Sequence, residues 1–180
     1  MTTFSYILLA LALALESMLL TYRNTQGTAL RLTKGLAVSL IMALMQTLLF
    51  QGGVWLGNLL RFDLPDIDKT FFIALFVVVV VKLLLPLLGR KREQVVYDLG
   101  RATTALALSV AASVNALLLG LGVGFVADMK AAYLPATIAI ALSVLLLSYL
   151  GIMLGRRKKE LAAKRWHMIA ALMLLVAVFM

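Results

Sequence analysis

Six stretches of the chain are apolar over lengths that match a membrane crossing, and short polar segments, mostly basic, separate them. A helix of about 18–20 apolar residues spans a hydrocarbon core ~30 Å thick. The pattern predicts helices over 5–21, 33–60, 71–88, 102–127, 132–154 and 163–180. The second exceeds the length a crossing needs, so it is expected to tilt or to break near Gly52 and Gly53. Gly120, Gly122 and Gly124 are expected to loosen the far end of the fourth. The run FFIALFVVVVV at 71–81 is β-branched and strand-like in composition. An isolated strand cannot satisfy its backbone in lipid, so this run too is read as helix. The first segment, MTTFSYILLALALALES, has no basic start and is interrupted by Glu16, so it reads as a spanning helix and not as a removable signal peptide.

Composition agrees with this pattern. Of the 180 residues, 63% are hydrophobic, against about 45–50% in soluble globular domains, and the mean hydropathy is +1.04. There is no cysteine. A disulfide framework and a thiolate metal site are thereby excluded, which leaves oxygen ligands or the single histidine, His167, for any metal.

The net charge of +9 could point to nucleic acid. The basic residues, however, fall in short clusters between apolar runs and are not interleaved with aromatics, so membrane topology explains them better. One set of loops carries Arg23, Arg31 and Lys34, then Arg90, Lys91, Arg92 and Arg101, then the residues from Arg156 to Lys159 with Lys164 and Arg165. The opposite loops hold Arg61, Lys69 and Lys130. Thirteen against three predicts a cytoplasmic location for the loops after helices one, three and five. Both termini then lie on the non-cytoplasmic side of a plasma or inner membrane, and the lipid bilayer is the expected surrounding.

Two segments echo each other. LESMLL (15–20) aligns with VNALLL (114–119), which pairs Glu16 with Asn115 at a separation of 99, and GVWLG (53–57) aligns with GIMLG (151–155) at 98. A duplicated three-helix unit follows, with repeats over 1–90 and 91–180. Because each unit has an odd number of spans, the copies must be inverted, which is the parity of transporters whose sites lie at the repeat interface. The expected fold class is an all-α integral membrane protein with six transmembrane helices in two inverted three-helix repeats.

Glu16, Gln46, Lys82 and Asn115 lie inside predicted spans. A carboxylate there costs about 2.5–3.5 kcal/mol on insertion scales, so Glu16 is expected to face other helices. Small residues recur at helical spacing beside these positions: Ala10, Ala14, Ser17 and Thr21; then Ser39, Ala43, Gly53 and Gly57; then Thr104, Ala107 and Ala111. Such stripes let helices approach closely, and here they would carry the polar side chains inward. Glu16, Gln46 and Asn115 together offer oxygen ligands of a kind that suits a hard divalent cation. The alternative is that Gln46 and Asn115 serve as interhelical hydrogen-bond glue. Lys82 either snorkels toward the basic end at Arg90 or pairs with Glu16.

Trp55 and Trp166 read as interface anchors, and His167 as a surface residue. No nucleotide-binding loop, nucleophile–base set or metalloprotease spacing is present, so an enzyme is not expected and no resident cofactor is implied. So small a bundle is compatible with a homodimer.

The chain resembles the MntP-type manganese efflux pumps of the wider LysE transporter superfamily. SVNALLLGLG (113–122) resembles the family's Ser-x-Asp-Ala-x-x-x-Gly pattern, with Asn115 in the Asp position. ALESMLL carries Glu16 at the acidic position of helix one. LMQTLL places Gln46 where the family has a Glu-Thr pair, and Lys82 falls where it carries a basic residue. The resemblance implies a six-helix exporter of Mn²⁺ or another cation. It also implies that two of three acidic ligand positions are neutral amides here, so that this is a divergent member. An alternative from a different class is a transport-inactive structural or interaction protein that kept the scaffold.

Overall fold

The computed structural model describes residues 3–26, 30–63, 73–82, 96–126, 129–157 and 163–179. Six helices make up nearly all of these: α1 (Thr3–Thr25), α2 (Leu32–Asp63), α3 (Ile73–Lys82), α4 (Ala102–Val126), α5 (Met129–Arg156) and α6 (Ala163–Phe179). Among the described residues there is no strand. Four helices are long and apolar enough to cross a membrane, over Ser5–Thr25, Leu32–Leu60, Ala102–Phe125 and Leu134–Arg156. The remainder of the predicted third span, 71–72 and 83–88, lies outside the described residues, as do the side chain of His167 and residue 180.

The helices run past several of the predicted ends. At the end of α1, polar side chains fold back onto the helix's own carbonyls: Asn24 Nδ2 donates to Leu20 O at 2.9 Å, and Thr25 Oγ1 donates to Thr21 O. Polar residues of this kind look like loop in a hydropathy pattern, yet they satisfy the helix. Asn24 also holds the segment that leads into α4, because its Oδ1 accepts from Tyr97 N at 2.7 Å.

Of the two outcomes expected for α2, to tilt or to break, the break does not occur, and the far end of α4 keeps its helix. α2 is continuous through Gly52 and Gly53, and α4 is helical through Gly120, Gly122 and Gly124. A Cβ on Gly53 would collide with Leu117 O, and one on Gly57 with Leu121 O. From the other side, a Cβ on Gly120 would collide with Phe50 O and one on Gly124 with Val54 O. The missing side chains let the two helix backbones touch, so these glycines join helices instead of ending them.

α1 and α5 meet in the same way. Gly151 packs against Met18 O, and Gly155 against Tyr22 O and Thr25. Where α4 has Gly120 against Phe50 O, α1 has Thr21, whose hydroxyl donates to Ser148 O at 3.0 Å. α2 along α4 and α1 along α5 are the two most extensive helix pairings, and α1 also packs on α6 and α2 on α5. The shared core includes Leu9, Leu13, Met42, Phe50, Phe76, Val79, Ala116, Leu119, Ile140 and Leu174. A smaller cluster of Leu15, Met18 and Ala170, with Trp166 against it, joins α1 to α6.

The outward faces are apolar too. α2 turns Leu36, Leu40, Leu44 and Leu48 outward, and α5 turns out Leu134, Ile138, Leu142 and Leu146. An apolar stripe on the outside of an already apolar bundle is what a lipid-solvated surface requires. The small-residue stripe expected for α4 is rotated from its predicted position: Ala107 and Ala111 are exposed, while Ala105, Ser109, Ala112 and Ala116 are buried. α4 is apolar on every side, so periodicity could not choose its inner face.

Candidate ion site

α1 brings Glu16 into the bundle because its neighbours on the inner face, Ala12, Leu13, Ser17 and Leu19, are all buried against other helices. Across from it, α4 contributes Asn115, which has no exposed surface. Asn115 Nδ2 donates to Glu16 Oε1 at 2.6 Å and to Oε2 at 2.7 Å. Its other end, Oδ1, accepts from Lys82 Nζ of α3 at 2.6 Å. The three side chains therefore form one relay of carboxylate, amide and ammonium. Lys82 itself is exposed, so the relay runs from inside the bundle to its edge. Among the described residues no direct hydrogen bond or ion pair joins Lys82 to Glu16; the amide stands between them.

This geometry settles the orientation of the Asn115 amide. The opposite orientation would set its oxygen against a carboxylate and its hydrogens against an ammonium, both repulsive. Hydrogen bonds with one charged partner are stronger than neutral ones, and here both ends of the amide have one.

Gln46 is fully buried on α2, as its stripe predicts, but it does not join the relay. Its Nε2 donates to Ser17 Oγ at 2.6 Å, one residue along α1 from Glu16. Ser17 Oγ already donates to Leu13 O at 3.2 Å, so it must act as the acceptor from Gln46. The amide oxygen, Gln46 Oε1, is left buried with no hydrogen-bond partner among the described residues. Ser148 Oγ of α5 is in the same condition. Its backbone carbonyl bonds Thr21, one helical turn along α1 from Ser17. A second polar region thus lies beside the relay, at the junction of α1, α2 and α5.

Of the four side chains singled out from the sequence, three are linked through Asn115, and the fourth, Gln46 of α2, bonds Ser17, the residue next to Glu16 on α1. Ser17 was read there only as a small packing residue, and Ser148 was not singled out. A serine in an apolar helix usually bonds its own helix, so composition carries no signal of a partner on another one. Among the described residues no three His, Cys, Asp or Glu side chains gather as a metal site would require. Any cation held here would rest on one carboxylate, amide oxygens and hydroxyls.

The arrangement is that of a multi-pass helical membrane protein with a charged polar relay that runs from between its spans to the edge of the bundle. The family profile Mntp, described as "Putative manganese efflux pump", matches residues 29–179, and the chain belongs to this family of transporters. The matched stretch includes Gln46, Lys82 and Asn115 and leaves Glu16 before it. No curated protein and no solved structure gives a match.

Proposed function

We propose that this protein exports a small metal cation, with manganese the first ion to test, through a site centred on Glu16 and Asn115. The observation that carries the reading is their mutual contact. These residues are 99 positions apart and are the same position in the two halves of the internal alignment. Where a two-fold axis relates two copies of a unit, equivalent residues can touch only on that axis. Inverted-repeat transporters bind their cargo there, near the bilayer midplane.

The helix contacts support the same symmetry. Gly53 against Leu117 corresponds to Gly151 against Met18, and Gly57 against Leu121 to Gly155 against Tyr22. Gly120 against Phe50 corresponds to Thr21 against Ser148. The outward residues Leu36, Leu40, Leu44 and Leu48 correspond to Leu134, Ile138, Leu142 and Leu146. Each set maps onto the other by a shift of 98 from α2 to α5 and 99 from α1 to α4. The units are 1–90 and 91–180. The distribution of basic residues favours both termini facing away from the cytoplasm.

Glu16 would be the one charged ligand, with the amide oxygens of Asn115 and Gln46 as neutral ones. Hard oxygen donors suit Mn²⁺ and Mg²⁺. With amides at two positions where the family resemblance implies acids, the site holds less negative charge, and a lower affinity for divalent ions follows. The unpartnered Gln46 Oε1 supports a ligand role, since a buried acceptor left without a partner is costly.

A second reading is a scaffold that no longer transports. Lys82 favours it, because its ammonium occupies the Asn115 oxygen and leaves both charged groups of the relay satisfied. The deciding experiment is manganese sensitivity of a host lacking its own exporter. Protection by the wild type and none by Glu16→Ala at equal membrane expression is expected. Absence of protection by either, with normal expression, sinks the export reading for manganese.

A further inference from the structure

We infer that Lys82 is a tethered counter-cation, and that the Asn115 amide is a toggle that exchanges it for cargo. The inference rests on the reading of Glu16 and Asn115 as the cargo site. In the observed arrangement Asn115 turns its hydrogens to Glu16 and its oxygen to Lys82. A metal cation on Glu16 cannot accept hydrogen bonds, and it needs the amide oxygen as a ligand. To supply it, the amide must turn over about its terminal torsion. The same rotation takes the oxygen away from Lys82 and presents the ammonium with two amide hydrogens. One motion therefore admits the cargo and dismisses the lysine.

Charge balance gives the exchange its purpose. A lone carboxylate within a span costs about 2.5–3.5 kcal/mol on insertion scales. With Lys82 docked, Glu16 and Lys82 sum to zero, so the emptied site can reset with no second ion from solution. With cargo bound, a docked ammonium would repel it across a few ångströms, which is why the lysine has to leave. Its position permits this. Asn115 is buried and Lys82 is exposed, and a lysine carries its charge on a flexible four-carbon stem.

The test is Mn²⁺ binding to the purified full chain in lipid nanodiscs, read from the electron paramagnetic resonance signal of free Mn²⁺. Lys82→Met and Lys82→Gln both remove the charge, and either suffices if the other does not fold. Each is expected to bind Mn²⁺ at least about tenfold more tightly than the wild type. Lys82→Arg keeps a cation and is expected to stay within about threefold of the wild type. Glu16→Gln in the Lys82→Met background is expected to remove the binding. Equal affinity in the wild type, Lys82→Met and Lys82→Gln overturns the counter-cation while leaving the cargo site standing. Absence of binding in every form overturns the manganese reading, and the counter-cation falls with it.

Discussion

Asn115 gives both of its amide hydrogens to one carboxylate, reaching Glu16 Oε1 at 2.6 Å and Oε2 at 2.7 Å. α1 and α4 make few other contacts, so this pair is the main polar tie between them. It spans the two halves of the chain and holds its only acidic side chain among the described residues of the four long spans.

Replacing that amide probes the site in two directions. Asn115→Asp adds a second carboxylate and removes the donor, so the metal-free protein should be less stable and its affinity for Mn²⁺ should rise by about tenfold or more. Asn115→Leu leaves the Glu16 carboxylate without its donors and should cost about 1–3 kcal/mol. Thermal unfolding with and without Mn²⁺ checks both: the metal-induced shift should grow in Asn115→Asp and vanish in Asn115→Leu.

Gly52 and Gly53 are adjacent in sequence and opposite in consequence. A Cβ on Gly52 meets nothing within 4 Å, whereas one on Gly53 strikes the backbone of Leu117 and Leu121. Gly52→Ala should be neutral or stabilising by up to about 1 kcal/mol through helix propensity. Gly53→Ala should destabilise by about 1–3 kcal/mol, because a backbone cannot move aside as a side chain does. Equal unfolding free energies for the two variants would show that the α2–α4 contact is not close.

Gln46→Leu separates glue from ligand. It gives up one hydrogen bond to Ser17 but removes a buried acceptor with no partner, so stability should stay within about 1 kcal/mol of the wild type. If Gln46 Oε1 ligates the cargo, metal affinity should fall by about tenfold or more. A large loss of stability with unchanged affinity would assign Gln46 to packing alone.

The absence of cysteine makes topology easy to test, since any introduced thiol reports alone. Asp66→Cys should react with a membrane-impermeant maleimide in intact cells. Arg157→Cys should react only after the membrane is opened. The reverse pattern would invert the proposed orientation.

Four of the six expected spans, and the alignment of Glu16 with Asn115, could be read before any coordinates, because hydropathy and a repeat offset are properties of the chain as a line. What escaped depends on direction in space. Lys82 reads from the sequence as either snorkelling or pairing with Glu16, but which of several acceptors a long, flexible side chain reaches is decided by rotamers. The partner turned out to be Asn115. Gln46 was correctly expected to be buried, yet its hydrogen bond goes to Ser17, a residue that looked like packing. Gly120 and Gly124 read as weak helix formers, when the deciding factor is the carbonyls of Phe50 and Val54 on a helix distant in sequence.

The contact between Glu16 and Asn115 also bears on ancestry. If the two halves descend from one unit that paired with a second copy of itself, this position then faced its own duplicate. Two identical acids there would repel, and neither would have hydrogens to offer. A carboxylate held by two amide hydrogens needs an acid on one side and an amide on the other, two unlike residues that a unit paired with its own copy could not supply. On that descent, joining the halves would have freed a single position to become two, and the asymmetric grip on Glu16 would be a product of that freedom.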